Sequence, residues 1–384
     1  MAIEKPNLHE VRVIHPWTFS YYDAFIQEMK KYDGGTERWL AEYSTFKDRS
    51  DYFQVMPKLD GGKKVNALSI FWIAPLETDI SVAKLYLAAD QVGNALSQSV
   101  EGTKLVDRLI GVTPYIEVRQ DRVNEAGEAV TAQMIARMLS RSGYTDLLTV
   151  DIHSREAGKF IEDEGINHVN ATATPLLVDI INENDDWVTM DTKIAVLDIG
   201  ALQRCWHAAK LLGLTAEDLI VFKKERGGHN VVDSSTLLYG DPKEKDLLVF
   251  DDLQDTGSST GKTALGSRVA GCKSVRMLLP HGVLSFPARK NISNLLEEGI
   301  VDDWVLTNSL PRGAFLLEGV NNFETVNVAP LLMGLGRLLS QLGKERMLEL
   351  PGIDPFILQT RNKMEVWKEF ADEVGIDWQI INRG

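Results

Sequence analysis

Cysteine is nearly absent: Cys205 and Cys272 are the two in 384 residues. One disulfide could hardly staple a chain of this size, which excludes a disulfide-built secreted domain and predicts a reducing compartment. Each thiol reads as a small, semi-buried side chain. No apolar run approaches the roughly 20 residues that span a bilayer, and residues 1–10 lack the apolar centre of a signal peptide. A cytoplasmic protein without membrane contact is expected. Positive charge is also short: 41 Lys and Arg against 55 Asp and Glu leave a net charge of −14, with no dense basic run. Such a surface repels nucleic-acid phosphates, so nucleic acid is not an expected partner. A polyphosphate remains admissible where a pocket is locally basic or carries magnesium.

The residues present are those of an ordinary folded globular protein. With 44% hydrophobic and 25% charged residues, the chain as a whole is not of a disordered type. Domains cluster at roughly 100–150 residues, so this length predicts two or three units. Short apolar runs at 11–15, 67–74, 109–112, 147–151, 194–198, 219–223, 247–251 and 275–280 read as strands. Several are apolar throughout, as strands covered on both faces are. Between them lie helical patterns. In 131–142 the apolar face reads as Met134, Ile135, Met138 and Leu139, with Gly143 just beyond. Segments 202–212 and 260–270 read likewise. The alternation predicts two similar α/β units, each with a mainly parallel sheet flanked by helices. The expected division is 1–165, 166–345 and an extra tail, 346–384.

One stretch carries chemistry on its own terms. In 247–260 (LLVFDDLQDTGSST) an apolar strand ends in Asp251 and Asp252, Asp255 follows, and a run of small hydroxylated residues leads into a helix. The carboxyl end of a strand is where open α/β sheets bind ligands. Gly257 permits a tight turn. Backbone N–H groups from Thr256 onward and the helix start offer donors to a phosphate, and Thr256, Ser258, Ser259 and Thr260 add hydroxyls. Asp251 and Asp252 are natural acceptors for a vicinal diol and attract magnesium. Acids beside an anion site suit a ligand with a sugar face and a phosphate end. Within the same stretch, 257–263 (GSSTGKT) imitates a P-loop, but three residues separate its first glycine from Gly-Lys where the motif needs four. Lys262 therefore reads as a helix-surface lysine.

These residues resemble the phosphoribosyl-pyrophosphate (PRPP) loop shared by type I phosphoribosyltransferases and PRPP synthetases. Further segments resemble the synthetase branch, the ribose-phosphate pyrophosphokinases: 113–122 (TPYIEVRQDR), 128–133 (EAVTAQ), 148–153 (LTVDIH), 197–200 (LDIG) with Arg204, 224–226 (KER), 281–285 (HGVLS), 307–311 (TNSLP) and 326–332 (VNVAPLL). They recur in the family's order across about residues 110–340. The resemblance implies two phosphoribosyltransferase-like domains and magnesium-dependent diphosphate transfer from ATP to the anomeric hydroxyl of a ribose 5-phosphate-like sugar. It implies Lys224 and Arg226 as catalytic residues, with Asp251, Asp252, Asp255, Thr256, Gly257, Ser258, Ser259 and Thr260 around the sugar phosphate. It places Arg119, Gln120, Asp121 and His153 on ATP, His153 and Asp198 on magnesium, and it suggests a homo-oligomer built from dimers, of which a hexamer is one form.

The chain departs from the family at several points. The first ~110 residues match weakly, residues 123–127 lack the family's basic side chains, 156–160 (EAGKF) replaces its Gln-Ile-Gln-Gly-Phe, and Ala201 replaces a glycine. A larger acceptor such as ADP-ribose is one alternative. A phosphoribosyltransferase and a catalytically silent synthetase-associated subunit are two others.

Overall fold

The computed structural model describes residues 10–15, 38–45, 51–56, 68–73, 106–116, 121, 123, 128–197, 199–228, 231–310 and 316–350, with backbone alone for the first four stretches, 106–107, 199 and 223–236. The chain divides into two compact units.

In the first unit, strands β1 (Glu10–His15), β2 (Arg38–Thr45), β3 (Asp51–Met56), β4 (Leu68–Ile73) and β5 (Val106–Thr113) precede helix α1 (Thr131–Arg141). Strand β6 (Asp146–Val150), helix α2 (Arg155–Asp163) and strand β7 (Asn167–Ala171) follow. The seven strands form one sheet in the order β3-β2-β1-β4-β5-β6-β7. Only β2 and β3 pair antiparallel; every other neighbour is parallel. The buried face of α1 is Ala132, Ile135, Ala136 and Leu139, whereas Met134 is half exposed. The i, i+3, i+4, i+7 stripe runs through the two alanines, because the small side chains let the helix approach the sheet.

The second unit opens with helix α3 (Thr174–Glu183), then β8 (Thr192–Val196), α4 (Leu202–Leu211), β9 (Leu219–Gly228), β10 (Val231–Tyr239) and β11 (Asp246–Phe250). It continues with the short β12 (Leu253–Gln254), α5 (Ser258–Val269), β13 (Ser274–Leu279), the short β14 (His281–Gly282), α6 (Ala288–Glu297), β15 (Asp303–Thr307) and β16 (Phe323–Val326). Its sheet runs β10-β9-β8-β11-β13-β15-β16. Again one antiparallel hairpin, β9–β10, edges an otherwise parallel sheet. Position by position this repeats the order of the first sheet, so the two units share one topology.

The apolar strands are covered on both faces, as their sequences predict. On β11, Leu248 and Phe250 join a cluster with Leu177, Ile181 and Trp206 of α3 and α4. Leu247 and Val249 join the opposite cluster with Ala264 and Ile292 of α5 and α6. Period-two alternation sends successive side chains into different layers, which is why the whole run has to be apolar.

The last described helix, α7 (Ala329–Leu348), returns to the first unit, and the division falls between Ala171 and Thr172. The expected boundary at 165 lies just before β7, whose ladder to β6 keeps it in the first sheet. Lys344 of α7 reaches Glu162 of α2 at 2.5 Å. No helix among the described residues is long and apolar enough to cross a membrane.

Candidate functional site

The strand order of the second unit reverses between β8 and β11, and in open α/β sheets ligands settle outside the carboxyl ends of the strands at such a point. Strand β11 ends at Phe250, and the stretch from Asp251 to Thr260 follows directly. Sequence composition and topology thus select the same place.

The loop is braced from within. Asp251 Oδ1 accepts from Asp252 N at 2.9 Å. Strand β12 pairs with β14, and Leu284 N donates to Gln254 O at 3.1 Å, so the chain is clipped beneath the turn. Gln254 is buried. In the amide orientation that gives both its ends a partner, Oε1 accepts from Gly257 N (2.9 Å) and Asp255 N (3.3 Å), while Nε2 donates to Thr260 Oγ1 (2.9 Å). From the neighbouring helix, Asn291 Nδ2 donates to Thr256 O at 2.8 Å and reaches Ser258 Oγ at 3.3 Å. Neither Gln254 nor Asn291 stands among the expected site residues. Gln254 lies inside the motif and could have been flagged as the one amide in it. Asn291 carries no sequence signal, since its contact exists only once α5 and α6 dock.

Two details differ from the sequence reading. Helix α5 begins at Ser258, not near Thr260, so Ser258 and Ser259 belong to its first turn. Gly257 is the N-cap, with φ 83° and ψ −9°. Its own N–H turns back to Gln254, so the donors at the helix mouth are the first-turn amides of Ser258, Ser259 and Thr260, which have no intrahelical acceptor. These amides and the helix dipole favour an anion there. Ser258 and Ser259 are exposed, and Thr256, Thr260, Asp251, Asp252 and Asp255 are half-buried. The arrangement presents hydroxyls and amides on one side and carboxylates on the other. Lys262 is exposed on α5, as a surface lysine would be.

Left-handed backbone at Gly257 makes a testable point. A Cβ there would stand 3.3 Å from Asn291 Cβ and 3.4 Å from Ile292 Cγ1, inside the tight range. The left-handed conformation itself costs a non-glycine residue roughly 1–2 kcal/mol. Gly257→Ala is therefore expected to weaken, about tenfold, binding of the sugar phosphate that the sequence leads one to expect here, read by calorimetric titration with ribose 5-phosphate, with the midpoint of thermal unfolding falling by only a few degrees. Unchanged affinity would separate the turn from the ligand.

In the first unit, β5 ends at Thr113 and β6 at Val150. Asp151 is 1% exposed and sits at φ 41°, so the strand stops one residue earlier than its sequence suggests. Asp151 N donates to Ala171 O at 2.8 Å, which turns the chain, and His153 stands exposed beyond it. Asp121 is buried. Arg119, Gln120 and Asp198 lie outside the described residues. Lys224 and Arg226 lie in β9, their backbones paired with Ser235 and Val232 of β10, and their side chains lie outside the description.

Among the described residues no three His, Cys, Asp or Glu side chains are gathered into a metal cage. A magnesium ion carried by a nucleotide needs no such cage: it keeps several waters and takes one or two protein groups besides the substrate's phosphates. Of the two expected ligands, His153 is exposed, and Asp198 lies outside the described residues. The two thiols are inert beside it. Burial pushes Cys205 up to about 12, and burial also raises Cys272.

No family model matches the chain. It is 31% identical over 239 residues to a ribose-phosphate pyrophosphokinase of Prochlorococcus marinus, covering 62% of this chain and 67% of that one. It is 30% identical over 224 residues to that of Helicobacter pylori, covering 58% and 65%. The corresponding protein of Thermotoga maritima is 24% identical over 309 residues, covering 78% and 93%. The first two alignments thus span about two thirds of those relatives' own length. Among solved structures, phosphoribosylpyrophosphate synthetase from Mycobacterium smegmatis superposes with a TM-score of 0.69 at 19% identity, covering 86% of this chain and 98% of that one, which establishes a shared fold. By identity and coverage together, the chain belongs to the ribose-phosphate pyrophosphokinase family.

Proposed function

We propose that this protein transfers the β,γ-diphosphate of ATP to the anomeric hydroxyl of ribose 5-phosphate, or of a closely related sugar phosphate, giving PRPP and AMP. The observation that carries the reading is the Asp251–Thr260 loop at the switch point of the second sheet, where exposed first-turn hydroxyls meet half-buried carboxylates. The names of the relatives support the same reaction.

The sugar's 5-phosphate binds, around the turn at Gly257, the amides of Ser258, Ser259 and Thr260 and the hydroxyls of Thr256, Ser258, Ser259 and Thr260, and the ring hydroxyls bind Asp251 and Asp252, with Asp255 beside them. The anomeric oxygen attacks the β-phosphorus, and the bond from that phosphorus to the α,β-bridging oxygen breaks. AMP leaves with that oxygen, and the hydroxyl proton passes to solvent. Such transfers need positioning and charge neutralisation more than a strong base. Lys224 and Arg226 supply cations to the developing oxygen charge. Arg119, Gln120 and Asp121 orient ATP, with His153 at its phosphates. His153 and Asp198 would hold magnesium, which would supply further charge neutralisation. The protein acts in the cytoplasm as a homo-oligomer built from dimers, which light scattering would size.

The test is AMP release with ATP, magnesium and a panel of sugar phosphates. AMP formed with ribose 5-phosphate at a kcat in the ordinary enzymatic range of about 1–10³ per second bears the proposal out. AMP formed with ADP-ribose alone assigns the larger acceptor. Pyrophosphate released from PRPP and a nucleobase assigns a phosphoribosyltransferase. No product with any of them, together with capture of an active family member, assigns a silent subunit and overturns the reading.

A further inference from the structure

Strands β5, β6 and β7 carry a polar row that the reaction above leaves unused. Thr113, Thr149 and Asn170 stand abreast in register at the carboxyl ends of the three strands. His168 lies two residues before Asn170, on the same face of β7. Thr149 is 1% and His168 6% exposed.

The hydrogen bonds in this row have a direction that geometry alone settles. Ile152 N donates to Asn170 Oδ1 at 3.0 Å, and a backbone amide can only donate. Asn170 therefore presents its oxygen to the turn. Thr149 Oγ1 lies 2.9 Å from that same oxygen and must give it its single hydrogen. Only lone pairs of Thr149 then face His168 Nε2, 2.9 Å away, which requires the imidazole to carry its proton on Nε2. The chain of donors runs from His168 to Thr149 to Asn170, and Ile152 donates into its end.

The far end of the chain matters because of its neighbours. Ile152 stands between Asp151, held at φ 41° in the left-handed region that residues other than glycine adopt only at some cost, and the exposed His153. At the near end, Gly158 of α2 lies against the imidazole. A Cβ on Gly158 would come 3.0 Å from two ring atoms, so glycine lets α2 close over the ring. Burial, and after it the charge of Lys344 on α7, pushes His168 down to about 3. The ring is therefore neutral at ordinary pH, and its Nε2–H is the hydrogen given to Thr149.

We propose that His168, Thr149 and Asn170 are positioning residues, a buried relay that holds the strained Asp151–His153 turn and thereby sets affinity for the nucleotide. The affinity half rests on the reading that His153 meets ATP; the positioning half does not. The experiment compares Thr149→Val, which loses the hydroxyl at nearly constant volume, with Thr149→Ser, which keeps it. Amide exchange at Ile152 should accelerate at least about tenfold in Thr149→Val, with Leu148 and Val150 changing less than about twofold, and should revert in Thr149→Ser. Titration with ATP and magnesium should show about tenfold weaker binding in Thr149→Val, restored in Thr149→Ser, with ribose 5-phosphate affinity unchanged. Should Thr149→Val not fold, Asn170→Leu against Asn170→Asp poses the same contrast, since aspartate keeps both acceptor contacts. Unchanged or uniformly raised exchange overturns the positioning role. Localised exchange with equal losses for ATP and ribose 5-phosphate overturns the link to the nucleotide. A wild-type protein that binds no ATP sinks the functional reading and the affinity half together, while the exchange result still decides the relay.

Discussion

Lys224→Ala is expected to cut AMP release by about 10²–10³-fold while leaving ribose 5-phosphate affinity within about twofold. The separation follows from where the two groups stand in the second sheet. Lys224 lies in β9 and the Asp251–Thr260 loop follows β11, with only β8 between the two strands. Two strand spacings are roughly 10 Å, a gap that a lysine reaching toward the transferred group can help to close without touching the sugar's phosphate. The phosphoryl oxygens gather charge as the bond to the leaving group stretches, and removing a cation met only then lowers kcat and kcat/KM together. Arg226→Ala should fall in the same direction, because its planar fork matches the leaving phosphate. Steady-state kinetics with ATP and ribose 5-phosphate varied separately reads both variants. A Lys224→Ala enzyme with raised KM for the sugar and unchanged kcat would move this lysine out of the transition state and into ground-state binding.

The loop was legible because its residue types are unusual together: three aspartates, a glycine and four hydroxyls cannot all serve an ordinary turn. The strands around it were legible for a different reason. Leu247, Leu248, Val249 and Phe250 are buried in two different layers, and a run that is apolar at every position states that both faces are covered. Strand β7 broke that rule. Its sequence, NHVNA, offers His168 and Asn170 where a core strand would offer leucine, and a reading by hydrophobicity passes over it. The polar pair is affordable there because each partner is satisfied within the row, so the exception marks the place where the strand serves the turn beyond it. The edge strands β3 and β10 were missed because one side of an edge is open, which relaxes the apolar requirement. The start of α5 was misjudged by two residues because Gly257, not a hydroxyl side chain, is its cap, and glycine at that position gives a weaker signal than serine or threonine.

In the first unit, Arg108→Met is expected to destabilise the fold by about 3 kcal/mol. Arg108 stands on β5 and Asp146 opens β6, and the guanidinium reaches the carboxylate at 3.0 Å. The side chain of Asp146 is 1% exposed and that of Arg108 28%, so removing the arginine strands a charge that water cannot reach. Two hydrogen bonds would remain to the carboxylate, from Thr145 Oγ1 at 2.6 Å and Asn167 Nδ2 at 3.2 Å. They place the cost at the low end of the roughly 3–5 kcal/mol seen when one partner of a buried pair is lost. The arginine also holds α7. Its Nη1 donates to Leu339 O at 3.3 Å, and a Cβ on Gly343 would stand 2.9 Å from its Nη2. The helix breaks its regular geometry at that glycine, with φ 74° and ψ 166°, where the guanidinium passes. Urea unfolding followed by far-UV dichroism measures the shift. The double variant Arg108→Met with Asp146→Leu should recover most of the loss, because an apolar pair of similar volume leaves no charge to desolvate. A single variant that costs less than about 1 kcal/mol would mean that the carboxylate takes up a proton or a water when its partner goes, and that α7 docks through its apolar side chains without the arginine.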